Sequence, residues 1–141
     1  PGTLRAVAKE DGEVVDEHVL ETASDPAGVE LDADRESIAA DGRDLVYVEA
    51  TVVDHEGVRV PRAGHEVQFS VSGAGEIAGV DNGDLDSDES WVGDTRSAYH
   101  GTCIAVVRAD RERGTVEVEA EVGTGATDLE ADSVTVGVEP A

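Results

Sequence analysis

The sequence predicts an all-β chain folded as an antiparallel β-sandwich, and three observations carry that expectation. Apolar residues alternate with polar ones at period two almost throughout, which is the pattern of half-buried strands. Glycine, aspartate and proline punctuate the alternating runs. The runs are valine-rich and interrupted by frequent glycine, so no helix longer than a turn or two is expected.

Taken in chain order, Thr3 to Ala8, the turn Asp11-Gly12 and Glu13 to Thr22 read as a β-hairpin. A lone two-stranded hairpin is marginal in water, so this one is expected to belong to a larger sheet, in this domain or in a preceding one. In the next run Val46, Val48, Ala50 and Val52 alternate with Tyr47, Glu49, Thr51 and Val53, one face buried and the other wet. Val67, Phe69 and Val71 repeat the pattern, as do Val116, Val118, Ala120 and Val122, and then Val134, Val136 and Val138. Ile104 and Val106 give a further strand, with Ala105 and Val107 partly covered on its other side. Turn chemistry separates these runs at Asp41-Gly42, Asp54 to Gly57, Pro61 to Gly64, Gly73 to Gly75 and Gly114. Seven or so short strands spaced by turns indicate an immunoglobulin-like sandwich without the paired cysteines and tryptophan of antibody domains. Residues 79–101 break the rhythm and read as one long acidic loop, a length that is uncommon unless contacts order it or it carries function.

Composition excludes several functions. The chain has 141 residues with 33 acidic and 10 basic side chains, a net charge of -23. A surface of this sign repels phosphate backbones and anionic lipid, so neither nucleic acid nor membrane is an expected partner. No apolar run approaches a membrane span, and no signal-type segment opens the chain. Cellular location is left open, because an acidic surface suits both a salty cytoplasm and a salty exterior. The carboxylates alternate with valines instead of forming a tail, and Lys9 is the only lysine. Self-repulsion of this kind is screened in molar salt, where the Debye length falls to about 3 Å, so a halophilic source is expected.

Candidate chemistry is sparse. Glycosidase-type catalysis needs two carboxyl groups held across a cleft, and with 33 carboxylates any pair could be nominated, so none is. No catalytic or cofactor-binding residue is assigned. Asp84, Asp86 and Asp88 have the one-three-five spacing that opens an EF-hand calcium loop, but Glu89 stands where glycine is required and Thr95 where a bidentate glutamate is required. They remain candidates only for a different kind of calcium site. The four histidines are scattered without paired spacing. Cys103, the single cysteine, lies in an apolar run and reads as a buried structural thiol. Trp91, the single tryptophan, reads first as a pin fastening the long loop to a sheet, with stacking on a sugar ring as the alternative.

Several motifs resemble a known family. Ala40-Asp41-Gly42-Arg43-Asp44-Leu45, then Val53-Asp54-His55-Glu56-Gly57 with Pro61, then Val67 to Gly73, look like an invasin-type bacterial immunoglobulin-like domain. Ile77-Ala78-Gly79-Val80-Asp81-Asn82-Gly83-Asp84, followed by Ser87 to Ser90 and by Arg96-Ser97-Ala98-Tyr99-His100-Gly101, closely resembles the C-terminal immunoglobulin-like domain of glycoside hydrolase family 2 β-galactosidases. The chain departs from that pattern at Asp88-Glu89, where the family often has His-Glu, and at Tyr99, where phenylalanine is common. Gly2 to Ala8, with Asp11-Gly12 and Thr22, is similar to the closing strands of the preceding domain in those enzymes. The resemblance implies residues 1–27 as a terminal hairpin ending a preceding domain, and residues 28–141 as the sandwich. It implies an excised part of a longer hydrolase whose catalytic glutamates sit in a barrel outside this segment. The implied role is structural, with neighbouring domains of the same chain as partners. The alternatives are a carbohydrate-binding module and an adhesin-type module.

Overall fold

The computed structural model describes residues 2–122 and 129–141, and every described regular element is a strand. The chain opens with β1 (Thr3–Glu10) and β2 (Glu13–Glu21), an antiparallel hairpin. Its turn residues Asp11 and Gly12 both have positive φ, 49° and 84°, the geometry that matches the right-handed twist of a two-residue hairpin. All strand residues of this hairpin are exposed, and it forms a two-stranded sheet of its own.

Nine strands follow: β3 (Gly28–Ala33), β4 (Ser37–Ala39), β5 (Leu45–Val53), β6 (Glu66–Gly73), β7 (Gly75–Asp81), β8 (Thr95–Ser97), β9 (Thr102–Ala109), β10 (Gly114–Val122) and β11 (Asp132–Glu139). They build one sheet in the order β4-β11-β10-β6-β8 and a second in the order β3-β5-β9-β7. All pairs are antiparallel except β4 with β11. The runs named from the sequence account for five of these nine; β4 and β8 are three-residue edge strands too short to show alternation, and β3 and β7 are strands that the sequence reading did not name.

The two sheets bury their facing residues against each other. Val46, Val48 and Ala50 of β5 meet Val67 and Phe69 of β6, Val116, Val118 and Ala120 of β10, and Val136 and Val138 of β11 in one continuous core. At the change of sheet between β6 and β7, Gly73 has φ +92°, and a Cβ there would lie 2.2 Å from the Thr115 carbonyl oxygen. Only glycine fits that crossing.

Two faces differ from the alternation reading. In β9 it is Cys103, Ala105, Val107 and Ala109 that point into the core, while Ile104 and Val106 are half-buried on the outer face. Pairing with β5 fixes this, since Val46, Val48 and Ala50 lie opposite Val107, Ala105 and Cys103. Val53 is buried instead of wet, because β5 ends under the turn that carries Arg59.

The long loop is also shorter than expected. Residues 79–81 belong to β7 and residues 95–97 form β8, leaving residues 82–94 as the connection. This segment lies where edge strands β7 and β8 of the two sheets come side by side. The Val80 N–H donates to the Trp91 carbonyl at 2.9 Å and the Phe69 N–H to the Asp94 carbonyl at 2.7 Å. The loop therefore covers unpaired edge groups that would otherwise invite pairing with another chain.

Candidate functional site

A buried polar cluster in the sandwich is built around Arg96, whose side chain has no exposed surface. It projects from edge strand β8 into the space between the sheet edges. Its Nη2 donates to Asn82 Oδ1 at 3.0 Å and its Nη1 to the Glu89 carbonyl at 3.2 Å. Asp81 and Glu89 supply carboxylate oxygens at 3.7 and 3.8 Å. The buried Nε has no hydrogen-bond partner among the described residues and faces Glu89 across that longer gap. Glu89 Oε1 in turn accepts the N–H and hydroxyl of Ser97, at 3.1 and 2.9 Å. Asn82 Nδ2 donates to the Ser97 carbonyl at 2.8 Å. The start and the middle of the acidic loop are thereby tied to one guanidinium on β8.

Burial alone would push the Glu89 carboxyl up, but the Ser97 hydroxyl and N–H, with Arg96 beside it, more than offset this and hold it below its ordinary value. A charged Glu89 is thus the form that suits the clamp.

The calcium candidates are arranged differently. Asp84 Oδ1 accepts the Asp86 N–H at 3.0 Å, and the Asp84 N–H donates to Asn82 Oδ1 at 3.0 Å, so this part of the loop is a run of side-chain-capped turns. Among the described residues no three His, Cys, Asp or Glu side chains are grouped so as to hold a metal ion. Asp84, Asp86 and Asp88 are therefore not brought together as ligands.

Trp91 does not pin the loop with its side chain. It is 69 % exposed, and the neighbouring Val92 and Leu85 are 83 % and 99 % exposed. Only its backbone carbonyl is fastened, to β7. The anchoring role belongs to Arg96, whose guanidinium can satisfy a carbonyl, an amide and two carboxylates at once, which an indole N–H cannot.

A second polar anchor joins the hairpin to the sandwich. Ala23 is buried with Val52, Val60, Ala63 and Ala98. Asp54 Oδ2 accepts the Ser24 N–H at 2.9 Å and the Ser24 hydroxyl at 3.1 Å, while Oδ1 accepts the N–H groups of Glu56 and Val58, both at 2.9 Å. The Ser24 and Val58 backbone donors hold the Asp54 carboxyl at about 2, well below an ordinary aspartate. Because the folded value is depressed, this stabilisation is present above the unfolded value and is lost as pH falls from about 4 towards about 2. Asp54→Asn is expected to flatten the fall in unfolding free energy over that window, measured by urea titrations at stepped pH. An unchanged slope would contradict the assignment.

No nucleophile is poised for chemistry at Cys103, where burial pushes the thiol up to about 12. A groove of about 410 Å³ runs along β3, lined by Glu30, Asp54, His55, Glu130 and Asp132 among others. Asp54 is engaged as above and Asp132 accepts the Leu31 N–H at 2.8 Å. Two of its four carboxylates thus hold backbone in place, and the groove is the seam where residues 130–132 join β3. Among the described residues, the engaged polar groups form clamps and edges.

Fold and site together define an immunoglobulin-like sandwich whose polar residues order its own loops. The same architecture occurs in adhesin InvE of Yersinia pseudotuberculosis, to which the chain is similar at TM-score 0.54 and 22% identity, covering 80% of this chain and 26% of that one. A stronger likeness narrows the class. The profile of the glycoside hydrolase family 2 C-terminal domain 5 matches residues 29–135, and the chain belongs to that family. It is 41% identical over 120 residues to the β-galactosidase BoGH2A of Bacteroides ovatus, covering 85% of this chain and 14% of that protein. A solved glycosyl hydrolase family 2 member from Bacteroides cellulosilyticus superposes at TM-score 0.88 with 36% identity, covering 98% of this chain and 17% of that one. The chain thus spans about one-sixth or less of the length of these relatives.

The clamp was only partly visible in the sequence. Asn82, Glu89 and Arg96 all fall within the stretches that carry the family resemblance, but nothing in those stretches joins the three into one cluster. One signal pointed to it: between Arg62 and Arg108, Arg96 is the only arginine or lysine. A single such cation amid so many carboxylates is well placed to organise them.

Proposed function

We propose that this segment is a non-catalytic accessory domain of a β-galactosidase-like glycoside hydrolase, packing beside neighbouring domains of the same chain and helping to position a catalytic barrel. The observation that carries this reading is the family match over residues 29–135 on a sandwich whose buried polar groups, Arg96 and Asp54, are engaged in anchoring loops. The hairpin β1–β2, exposed along both strands, fits the same reading, with residues 1–27 as the end of a preceding immunoglobulin-like domain. Its Arg5–Glu17 ion pair lies on one face, while the cross-strand pair Leu4 and Leu20 stands on the other and is free to be covered. The longer reading frame tests the proposal. A barrel carrying two catalytic carboxylates supports it, and a frame of tandem sandwich repeats alone contradicts it.

The source is a halophile in this reading. The support is 33 acids against a single lysine and nine arginines in a chain that nonetheless folds around a valine core. Raising KCl from dilute buffer to molar concentration is expected to raise the thermal midpoint by several degrees, because the repulsion acts over about 10 Å at 0.1 M salt and about 3 Å at 1 M. Equal midpoints would rule out a salt-adapted surface.

Exposure of Trp91 favours a second reading, a carbohydrate contact made by the loop. Its indole stands clear of the sandwich on a segment that Arg96 holds in place, which suits stacking on a sugar ring. Quenching of Trp91 fluorescence by galactosides or a polysaccharide supports this role, and an unchanged emission spectrum at saturating sugar removes it.

A further inference from the structure

Basic side chains are unevenly placed on this acidic molecule. The hairpin and the acidic loop lie towards one end of the sandwich, where β5 and β7 finish. At the opposite end, the loops 34–36, 40–44 and 110–113 meet the neighbouring pair Glu76 and Arg108. β11 also finishes there, at Glu139 beside Ala40, so that end holds Arg35, Arg43, Arg108, Arg111 and Arg113, five of the ten basic residues, with eight of the 33 acidic ones.

The carboxylates and guanidiniums there are not all mutually engaged. Asp44 grips both Arg35 nitrogens, at 2.7 and 2.9 Å, and accepts the Ala39 and Leu45 N–H groups. Asp41 accepts the N–H groups of Arg43 and Asp44, at 2.8 and 2.7 Å. Asp34 accepts the Tyr47 N–H at 2.9 Å, and Glu76 pairs with Arg108. Arg43, Arg111 and Arg113 are exposed and form no ion pair or side-chain hydrogen bond among the described residues. Gly42 brings two of them together, since a Cβ there would sit 3.1 Å from Arg111 Cγ, next to Arg43 in sequence. Glu36, Asp110, Glu112 and Glu139 stand beside the three guanidiniums. The end therefore has eight acids to five bases, while the rest of the molecule has 25 acids to five bases.

We propose that this arginine-bearing end is a docking surface for a carboxylate-rich face of another module of the same polypeptide. It is where a like-charged neighbour meets least repulsion, and exposed guanidiniums are suited to bidentate contact with carboxylates. A second copy fits poorly: a two-fold contact would set the arginines against each other, and a head-to-tail contact would not close. A soluble polyanion has to overcome the net repulsion of the whole molecule in each encounter. A tethered module is held at high effective concentration. The inference rests on the accessory-domain reading.

Phenylglyoxal labelling of the full-length polypeptide, read by mass spectrometry and normalised to the denatured chain, tests it. Arg62, at the other end with a 60% exposed side chain, is the exposed reference. Arg43, Arg111 and Arg113 are expected to react about tenfold or more slowly than Arg62, the ratio reporting how rarely the face is undocked. In R43E/R111E/R113E, charge repulsion across the former contact is expected to lower the melting step of this domain in the full-length chain. Labelling as fast as at Arg62 in a polypeptide that still hydrolyses galactosides overturns the docking proposal and leaves the accessory reading standing. A polypeptide without hydrolase activity removes the accessory reading, whatever the arginines do. Protection that appears only when soluble polygalacturonate is added assigns the end to a polysaccharide and likewise overturns the proposal.

Discussion

Arg96→Met is expected to lower the unfolding free energy by about 3 kcal/mol and to release residues 82–94 from the sandwich. The substitution keeps most of the buried volume, so the loss comes from the partners left behind: the Glu89 carbonyl, Asn82 Oδ1 and the Glu89 carboxylate. Removing one member of a buried ion pair costs about 3–5 kcal/mol, and the lower end applies because the Glu89 side chain is one-third exposed and can recover water. Against a total stability on the order of 5–15 kcal/mol, this is a large fraction. Arg96→Lys is expected to recover less than half of it, since an ammonium cannot reach the Glu89 carbonyl and Asn82 amide in the fork geometry of a guanidinium. Urea denaturation gives the free energies. Limited proteolysis reads the loop, with new cleavage within residues 82–94 in the methionine variant. If Arg96→Met unfolds at the wild-type urea midpoint with the loop still protected, the clamp is not what orders it.

Phe69→Ala is expected to cost about 4 kcal/mol, within the range for removing a buried phenylalanine. Phe69 is the only phenylalanine and is 1% exposed, and its neighbours in the core are mostly valine and alanine. Short β-branched side chains held on paired strands cannot swing in to fill the space, so the cavity persists and the loss lies above simple transfer. Phe69→Leu retains most of the volume and is expected to lose about 1.5 kcal/mol or less. Urea midpoints of the two variants check the order. Equal losses would mean that the core collapses around the site, contrary to the packing described here.

Where one face is apolar and the other charged, the sequence was readable. Val46 to Val52 and Val116 to Val122 are such strands, and their buried faces are those the alternation indicates. Strand β9 was legible as a strand but not in its facing, because Ile104 and Val106 on one side compete with Cys103, Ala105 and Val107 on the other. Only pairing with β5, distant in sequence, decides between them. The three-residue strands β4 and β8 carry too few positions for a periodic signal. The Arg96 clamp joins residues 82, 89 and 96, whose approach depends on β7 and β8 lying at neighbouring sheet edges. That arrangement is a property of the fold, and no local spacing encodes it. The calcium spacing of Asp84, Asp86 and Asp88 was a local signal with no such support. In the folded loop, Asp84 caps backbone N–H instead.

The same distinction governs the function. Thirty-three carboxylates make acid–base chemistry look available anywhere, yet those the fold buries or engages most, Asp54, Asp44 and Glu89, are committed to backbone, hydroxyl and arginine partners. A domain built in this way holds geometry, and under the accessory-domain proposal bond cleavage falls to another module. The direct test is to purify residues 1–141, verify a cooperative thermal transition and β-type far-ultraviolet circular dichroism in molar KCl, and assay nitrophenyl galactoside hydrolysis beside the full-length polypeptide. The expected result is a folded segment with no hydrolysis above buffer and a full-length chain that hydrolyses the substrate. Hydrolysis by the folded segment itself at an enzyme-like rate would contradict the account.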